Sequence, residues 1–481
     1  MTRRVIGPFN RVEGDLEVKI EIDNDQVAEA WVTSPLYRGF EQMLVGKDPR
    51  DALVYAPRIC GICSVSQSVA AATALRQAQG IQIAPNGELV TNLVLACENI
   101  ADHLTHFYLF FMPDFAREVY RKHSWYDDVI QRYKAISGSA SQQLLPARAQ
   151  FLHIMGMLAG KWPHSLALQP GGSTHAIDIS DKQRLLSLIY ALRQFLETQT
   201  FGVALENITS MTDIVDLNNY LETGNPAPDL RQFLLLSDYL QLDKLGRSTD
   251  NFMSYGAYTI QGQAQFKQGV WQNGLQVLDS TAIFEDISHA WLNGSDKPLH
   301  PAEGITQPIA DKDQAYTWCK APRLNSEVVE VGALARQLID GQPLVRQLVQ
   351  HSGGNVRNRV VARLLEVARL LPMMEQWIHD IAPGEAFCFT KDTPTNSQGV
   401  GMVEAARGSL GHWLEVRDGL IHNYQIIAPT TWNFSPRDGK QQAGALEQAL
   451  VGAPVREGET DPISVQHIVR SFDPCMVCTV H

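Results

Sequence analysis

Cysteine is scarce in this chain: seven in 481 residues, an odd number. So thin a supply excludes the dense, paired disulfide framework of a small secreted domain and fits reduced thiols in the cytoplasm. Long apolar runs are missing too. No stretch reaches the roughly 20 residues of a membrane-spanning helix, and Met1 to Pro8 carries two arginines but no apolar signal-peptide core before Asn10 to Asp15. Basic residues are outnumbered, 40 Lys and Arg against 52 Asp and Glu, leaving a net charge of −12. Phosphate binding demands clustered Lys and Arg, and no basic stripe is present, so no nucleic-acid partner is expected. Repeats, low-complexity tracts and Pro/Ser linkers are lacking as well. Residues 1–481 are therefore read as a single domain, with 44% hydrophobic residues to fill its core.

Four of the seven cysteines stand in two Cys-x-x-Cys pairs at opposite ends, Cys60 with Cys63 and Cys475 with Cys478. Thiolates at this spacing can grip one metal from a single turn. Zinc ribbons keep their pairs about 15 to 20 residues apart, whereas nearly the whole chain separates these two. Ferredoxin-like iron–sulfur runs are not seen around either pair. Zinc, an iron–sulfur cluster and nickel remain the candidate owners. In each case the N- and C-terminal segments must meet at the metal site.

Periodicity gives the rest of the architecture. Leu16, Val18, Ile20 and Ile22 alternate with charged residues, and Val27 to Val32 returns after Asp23-Asn24-Asp25, which predicts an antiparallel hairpin with one wet face. Ser64 to Gln79 is Ala-rich and closes on Gly80, so the first cysteine pair sits at a helix N-terminus, where the dipole favours thiolate. Leu89 to Phe111, Ala147 to Leu158, Asp181 to Phe201, Asn325 to Ile339 and Asn355 to Ile381 have helical spacing. Gln169 to Gly172 and Asn293 to Gln307 read as loops. The expected fold class is mainly α (α+β): one large unit with a buried helical bundle and small peripheral antiparallel sheets.

The flanks of the cysteine pairs carry a resemblance. Arg58-Ile59-Cys60-Gly61-Ile62-Cys63, Arg407 to Trp413 (Arg-Gly-Ser-Leu-Gly-His-Trp), Pro429 to Asn433 (Pro-Thr-Thr-Trp-Asn) and Asp473-Pro474-Cys475-Met476-Val477-Cys478 through His481 stand in the order seen in the large subunits of nickel–iron hydrogenases. The chain resembles that family from Arg11 to His481. The resemblance implies that Cys60, Cys63, Cys475 and Cys478 hold nickel. Cys63 and Cys478 would bridge to an iron carrying CO and two cyanides. Cleaving H2 heterolytically requires a base within hydrogen-bond reach, and the resemblance implies Cys475 first and then Glu13, in Arg11-Val12-Glu13-Gly14. Asp15 follows where the family often has histidine.

Arg407 matches the arginine over the metals, a fixed cation with five donors. Ala406 replaces a common proline, which is expected to loosen it. Thr430 falls where a hydroxyl donates to cyanide, and Leu410 where an apolar wall surrounds CO. Asp102 and Asp473 match carboxylates that pair with Arg407 or brace the cysteine loops; Asp102 and His106 share a helix face. The resemblance further implies a magnesium ion held by Glu41, a carbonyl at Ile427 and the imidazole of His481. Gln67 replaces a histidine, and Ile62 and Phe110 stand where smaller residues are frequent in a gas channel. These departures resemble the regulatory, hydrogen-sensing branch, with low turnover and signalling to a histidine kinase. Cys97, Cys319 and Cys388 read as scattered buried thiols, and the resemblance implies that electrons leave through a separate iron–sulfur small subunit. A heterodimer or a dimer of heterodimers is expected. The alternatives are an uptake enzyme, a quinone-site subunit without metal, and a zinc-clipped structural protein.

Overall fold

The computed structural model describes residues 2–225 and 227–481. The predicted hairpin forms as β2 (Glu17–Asp23) and β3 (Gln26–Thr33), with β1 (Thr2–Ile6) added along the free edge of β2. Val18, Ile20, Ala30 and Val32 face the core, while Glu17 stays in water.

Helix α1 (Ser64–Gln79) ends on Gly80 in the left-handed conformation, as its sequence demands. It lies directly on an antiparallel sheet of β4 (Ser397–Ala405), β5 (Gly408–Arg417) and β6 (Leu420–Ile427). The approach is as close as backbones allow. A Cβ at Gly399 would stand 1.9 Å from the Ala74 carbonyl oxygen, and one at Gly401 1.9 Å from that of Ala70. Small residues on both elements thus bring the N-terminus of α1, with its cysteines, to the β4–β5 turn that carries Arg407. Beneath them α2 (Pro85–Thr105) packs against α4 (Val356–Asp380), the buried axis of the bundle. The fold is mainly α with small antiparallel sheets, as expected.

Several expectations need correction. The apolar spacing of Asn325 to Ile339 is helical only over α3 (Ala333–Asp340). Asn325 and Ser326 take φ of 51° and 65°, Leu324 bridges Glu327, and Val329 and Val331 are buried from extended backbone. Valines at 328, 329 and 331 suit either geometry, and here the turn decides. Leu89 to Phe111 starts earlier, at Pro85, and its last turn, His106 to Phe111, widens into a π-turn; Asp181 to Phe201 does the same after Phe195. The third helix is two, Ser139–Phe151 and His153–Ala159. Gln169 to Gly172 contributes to short strands, Leu168–Gln169 and Gly171–Ser173, and Asn293 to Gln307 includes a short helical turn, Pro301–Glu303. Cys388 is partly exposed rather than buried.

Candidate metal centre

The two cysteine pairs meet. All four sulfurs lie within 4.8 Å of one another and all four residues are buried. Cys60 Sγ is 3.5 Å from Cys475 Sγ, Cys63 Sγ 3.0 Å from Cys478 Sγ, and Cys475 Sγ 3.1 Å from Cys478 Sγ. Cys63 is the N-cap of α1, and Cys475 precedes a single helical turn, Met476–Thr479. Arg38 locks the two loops together by donating from one nitrogen to the carbonyls of both Ile59 and Val477. Hydrogen bonds from the neighbouring thiols pull Cys60 well below the usual thiol range, whereas burial pushes Cys475 and Cys478 up and the other sulfurs raise Cys63. Four thiolates this close repel one another in a dry site. Full ionisation therefore calls for a divalent, thiophilic cation, and the soft donor set fits nickel, iron or zinc.

Arg407 reaches this cluster from the β4–β5 turn. It donates to Asp102 Oδ2 at 2.5 Å and Oδ1 at 3.1 Å, to Asp473 Oδ1 at 3.2 Å and to the Asp473 carbonyl at 2.9 Å. Its flanking carboxylates differ. Burial pushes Asp102 up to about 8, while at Asp473 burial is overcome by Arg407 together with neighbours that include His106 and Arg363, which hold the group down. The expected looseness at Ala406 is not found. Buried Arg336 donates to the carbonyls of Ala405 at 2.7 Å and Ala406 at 3.1 Å, and is itself held between Glu404 and Glu366. Asp102 and His106 do not pair with each other; the His106 imidazole meets the Arg470 carbonyl at 2.6 Å.

Glu13 lies beside Cys475 in an isolated parallel bridge, with its carbonyl accepting from the Met476 amide at 2.7 Å. Gly14 permits this approach: at φ 81°, a Cβ would stand 3.0 Å from Val477 Cγ1. Half-buried, the Glu13 carboxyl is raised by burial and by Cys60. The strap is anchored by Arg11, which pairs with buried Asp114; Arg470 joins the same carboxylate at 2.7 Å and also holds Asn10. Asp15 is exposed. Thr430 Oγ1 accepts from the Cys475 amide at 3.1 Å, which leaves its own proton free to donate, and Leu410 is 1% exposed in the adjoining core. Gln67 Oε1 meets His412 Nε2 at 2.8 Å, and Tyr424 holds the other ring nitrogen at 2.7 Å. The Gln67 amide nitrogen is buried without a partner. Ile62 and Phe110 are both half-buried, Ile62 between the first two cysteines and Phe110 in the π-turn, where its carbonyl accepts from Arg11.

A second polar cluster lies at the tail. His481 Nε2 is 3.3 Å from Glu41 Oε1, and the Ile426 amide donates to the same oxygen at 2.8 Å. Ile427 closes β6 beside it. Lys320 donates to Gln425 at 2.7 Å and to Glu41 and Glu285 at 3.3 Å. Burial raises a carboxyl, yet Lys320 and His481 outweigh it and hold Glu41 down at about 2. Oxygen donors around a cavity of about 20 Å³ fit one small hard cation. Lys320, Glu285 and Gln425 went unnoticed in the sequence, as did Arg336, Asp114 and Arg38. Each is a lone polar residue in an unremarkable stretch, and only the fold brings it to the site.

The nickel-dependent hydrogenase family matches residues 38–124 and 139–481. The chain is 30% identical to the periplasmic NiFeSe hydrogenase large subunit of Desulfomicrobium baculatum over 99% of its own length and 94% of that protein. It is 28% identical to the hydrogenase-2 large chain of Escherichia coli strain K12 (100% and 97% covered) and 26% identical to the uptake hydrogenase large subunit of Cupriavidus necator (100% and 95%). The oxidised Ni-Fe-Se hydrogenase structure from D. vulgaris Hildenborough superposes with a TM-score of 0.85 at 28% identity, covering all of both chains. With its four sulfurs gathered at one buried point, this chain belongs to the nickel-dependent hydrogenase family as a large, active-site subunit, an oxidoreductase acting on H2.

Proposed function

We propose that Cys60, Cys63, Cys475 and Cys478 hold a nickel–iron centre with CO and two cyanides on iron, at which H2 is converted to two protons and two electrons. The observation that carries this reading is the convergence of four buried sulfurs under a guanidinium braced by two carboxylates. The centre supplies the chemistry of H–H cleavage. The Cys475 sulfur takes the first proton and Glu13, raised by burial and lying alongside, passes it outward. Arg407 would polarise the incoming substrate and donate to one cyanide, the free Thr430 proton would serve the other, and Leu410 would form the apolar wall around CO. Asp102 and Asp473 hold Arg407 in place. Glu41, His481 and the Ile427 carbonyl hold magnesium, with Lys320 and Glu285 facing it. Electrons pass to an iron–sulfur small subunit in a heterodimer or a dimer of heterodimers.

The sensing role rests on Gln67, Ile62 and Phe110. Gln67 in place of histidine leaves a neutral amide bonded to His412, so the proton traffic of a titrating imidazole is missing there. On this reading turnover is low and a histidine kinase receives the signal. The uptake role is the second reading, favoured by relatives such as the C. necator uptake subunit. The three cysteines outside the centre, Cys97, Cys319 and Cys388, form no disulfide, which supports a cytoplasmic setting, whereas the Desulfomicrobium baculatum relative is named periplasmic. No helix among the described residues is long and apolar enough to cross a membrane. The test is an infrared spectrum of the purified complex under H2 and under air. One CO band and two cyanide bands that move with H2 are expected; a blank window in metal-loaded protein overturns the reading in favour of zinc.

A further inference from the structure

Helix α1 presents an anomaly at its N-terminus. N-cap positions are normally filled by Ser, Thr, Asp or Asn, whose side chains accept from the second or third helical amide. Here the N-cap is Cys63, which makes no side-chain cap hydrogen bond because its sulfur is turned into the centre. The amides of Val65 and Ser66 are nonetheless satisfied. They donate to Glu98, a residue of α2, at 2.8 Å and 2.9 Å; the Ser66 hydroxyl adds a bond at 2.9 Å and the Trp162 indole another at 3.1 Å. Glu98 is 2% exposed. One turn further along the same face of α2, Asp102 holds Arg407.

We propose that Glu98 is a positioning residue for the metal centre: it replaces the cap that Cys63 gave up and, when ionised, places a negative charge behind the Cys60–Cys63 loop. Its two oxygens meet four donors, a full complement for an ionised carboxylate and an excess for a protonated one; burial opposes them and raises the group to about 7, so the charge is present on the alkaline side of neutrality. Through α2, a single helix face thereby sets both the thiolate side of the centre, from Glu98, and the guanidinium side, from Asp102. Charge at this distance tunes electron density at metal-bound thiolates in the manner of other residues that support metal ligands. This inference rests on the nickel–iron reading, and its structural half does not depend on the metal.

The experiment compares wild type, Glu98→Gln, Glu98→Ala and Ser66→Ala in the complex with its partner subunit, on the alkaline side of neutrality. Amide hydrogen exchange at Val65 and Ser66 is expected to quicken roughly tenfold or more in Glu98→Ala, the loss of bonds to a charged acceptor. The CO and cyanide bands are expected to shift to higher wavenumber in Glu98→Gln, where charge is lost and shape retained. They should hold still in Ser66→Ala, which removes one hydrogen bond and leaves the charge. Unchanged exchange in Glu98→Ala overturns the cap. Unmoved bands in Glu98→Gln, or equal shifts in Ser66→Ala, overturn the electrostatic role. A wild-type spectrum without the bands overturns the nickel–iron reading instead, and the exchange arm still decides the cap.

Discussion

At the scale of single residues, the centre is a set of charges that only their neighbours make tolerable. Arg407 is fully buried, and two carboxylates keep its charge in place against the desolvation that opposes it. Lysine at this position keeps the charge and loses the fork that grips both Asp102 oxygens. Arg407→Lys is therefore expected to retain nickel, measured by elemental analysis, while H2 oxidation falls by about two orders of magnitude, a charged hydrogen-bonded contact being worth about 3 kcal/mol. On the proposed proton path, Glu13 answers for proton movement alone. In Glu13→Gln, hydrogen–deuterium exchange should drop by about 10² to 10⁴, the usual weight of a positioned base, with the infrared bands almost unmoved. Exchange at the wild-type rate would remove Glu13 from the proton path.

Among the elements, the packing of α1 on β4 decides where the first cysteine pair sits. Gly401→Ala would drive a methyl group to 1.9 Å from the Ala70 carbonyl oxygen, so helix and strand must part. The expected result is a loss of about 1 to 3 kcal/mol in denaturant unfolding, as overpacking costs, with weakened metal retention. The Ile62 loop and the π-turn of Phe110 frame a separate expectation. Replacing Ile62 by Val and Phe110 by Leu should raise oxygen sensitivity if the pair narrows gas access, and an unchanged rate of inactivation by air would dismiss that role. Legibility in the sequence followed element type. The α1 helix was plain, with its alanines and closing glycine, and so was the β2–β3 hairpin with its strict alternation. The β4–β6 sheet was hidden because its residues face α1 with glycines and the site with Arg407 and His412, leaving no clean alternation to see. The ligands were readable as motifs. Arg336 and Glu98 were not, because a buried ion that acts on backbone groups leaves no local pattern.

For the molecule as a whole, buried histidines and buried carboxyls pull the response to acid in opposite directions: Asp102, Glu98 and Glu447, raised to about 8, 7 and 7, take up protons in the folded chain, whereas the histidines refuse them. Burial holds His106 and His412 down at about 3 and His467 at about 4, against an ordinary value of 6.5. The unfolded chain thus binds protons that the folded chain refuses. The histidines' contribution to stability is fully present above 6.5 and declines as pH falls toward 4, by about 1.4 kcal/mol per pH unit for each such group. His467 stacks on Phe115 with ring centroids 4.7 Å apart, and His467→Phe is expected to flatten the slope by one such share in thermal melts across this window; an unaltered slope would refute the assignment. A final consequence follows from the 415 positions that separate Cys60 from Cys475. During synthesis the first pair emerges from the ribosome long before its counterpart, so for most of translation only a two-sulfur half-site exists. Two thiolates bind a metal loosely and exchange it freely. Only when the last turn docks beside Glu13 do four sulfurs stand together, so a four-sulfur site requires a chain translated through Cys478.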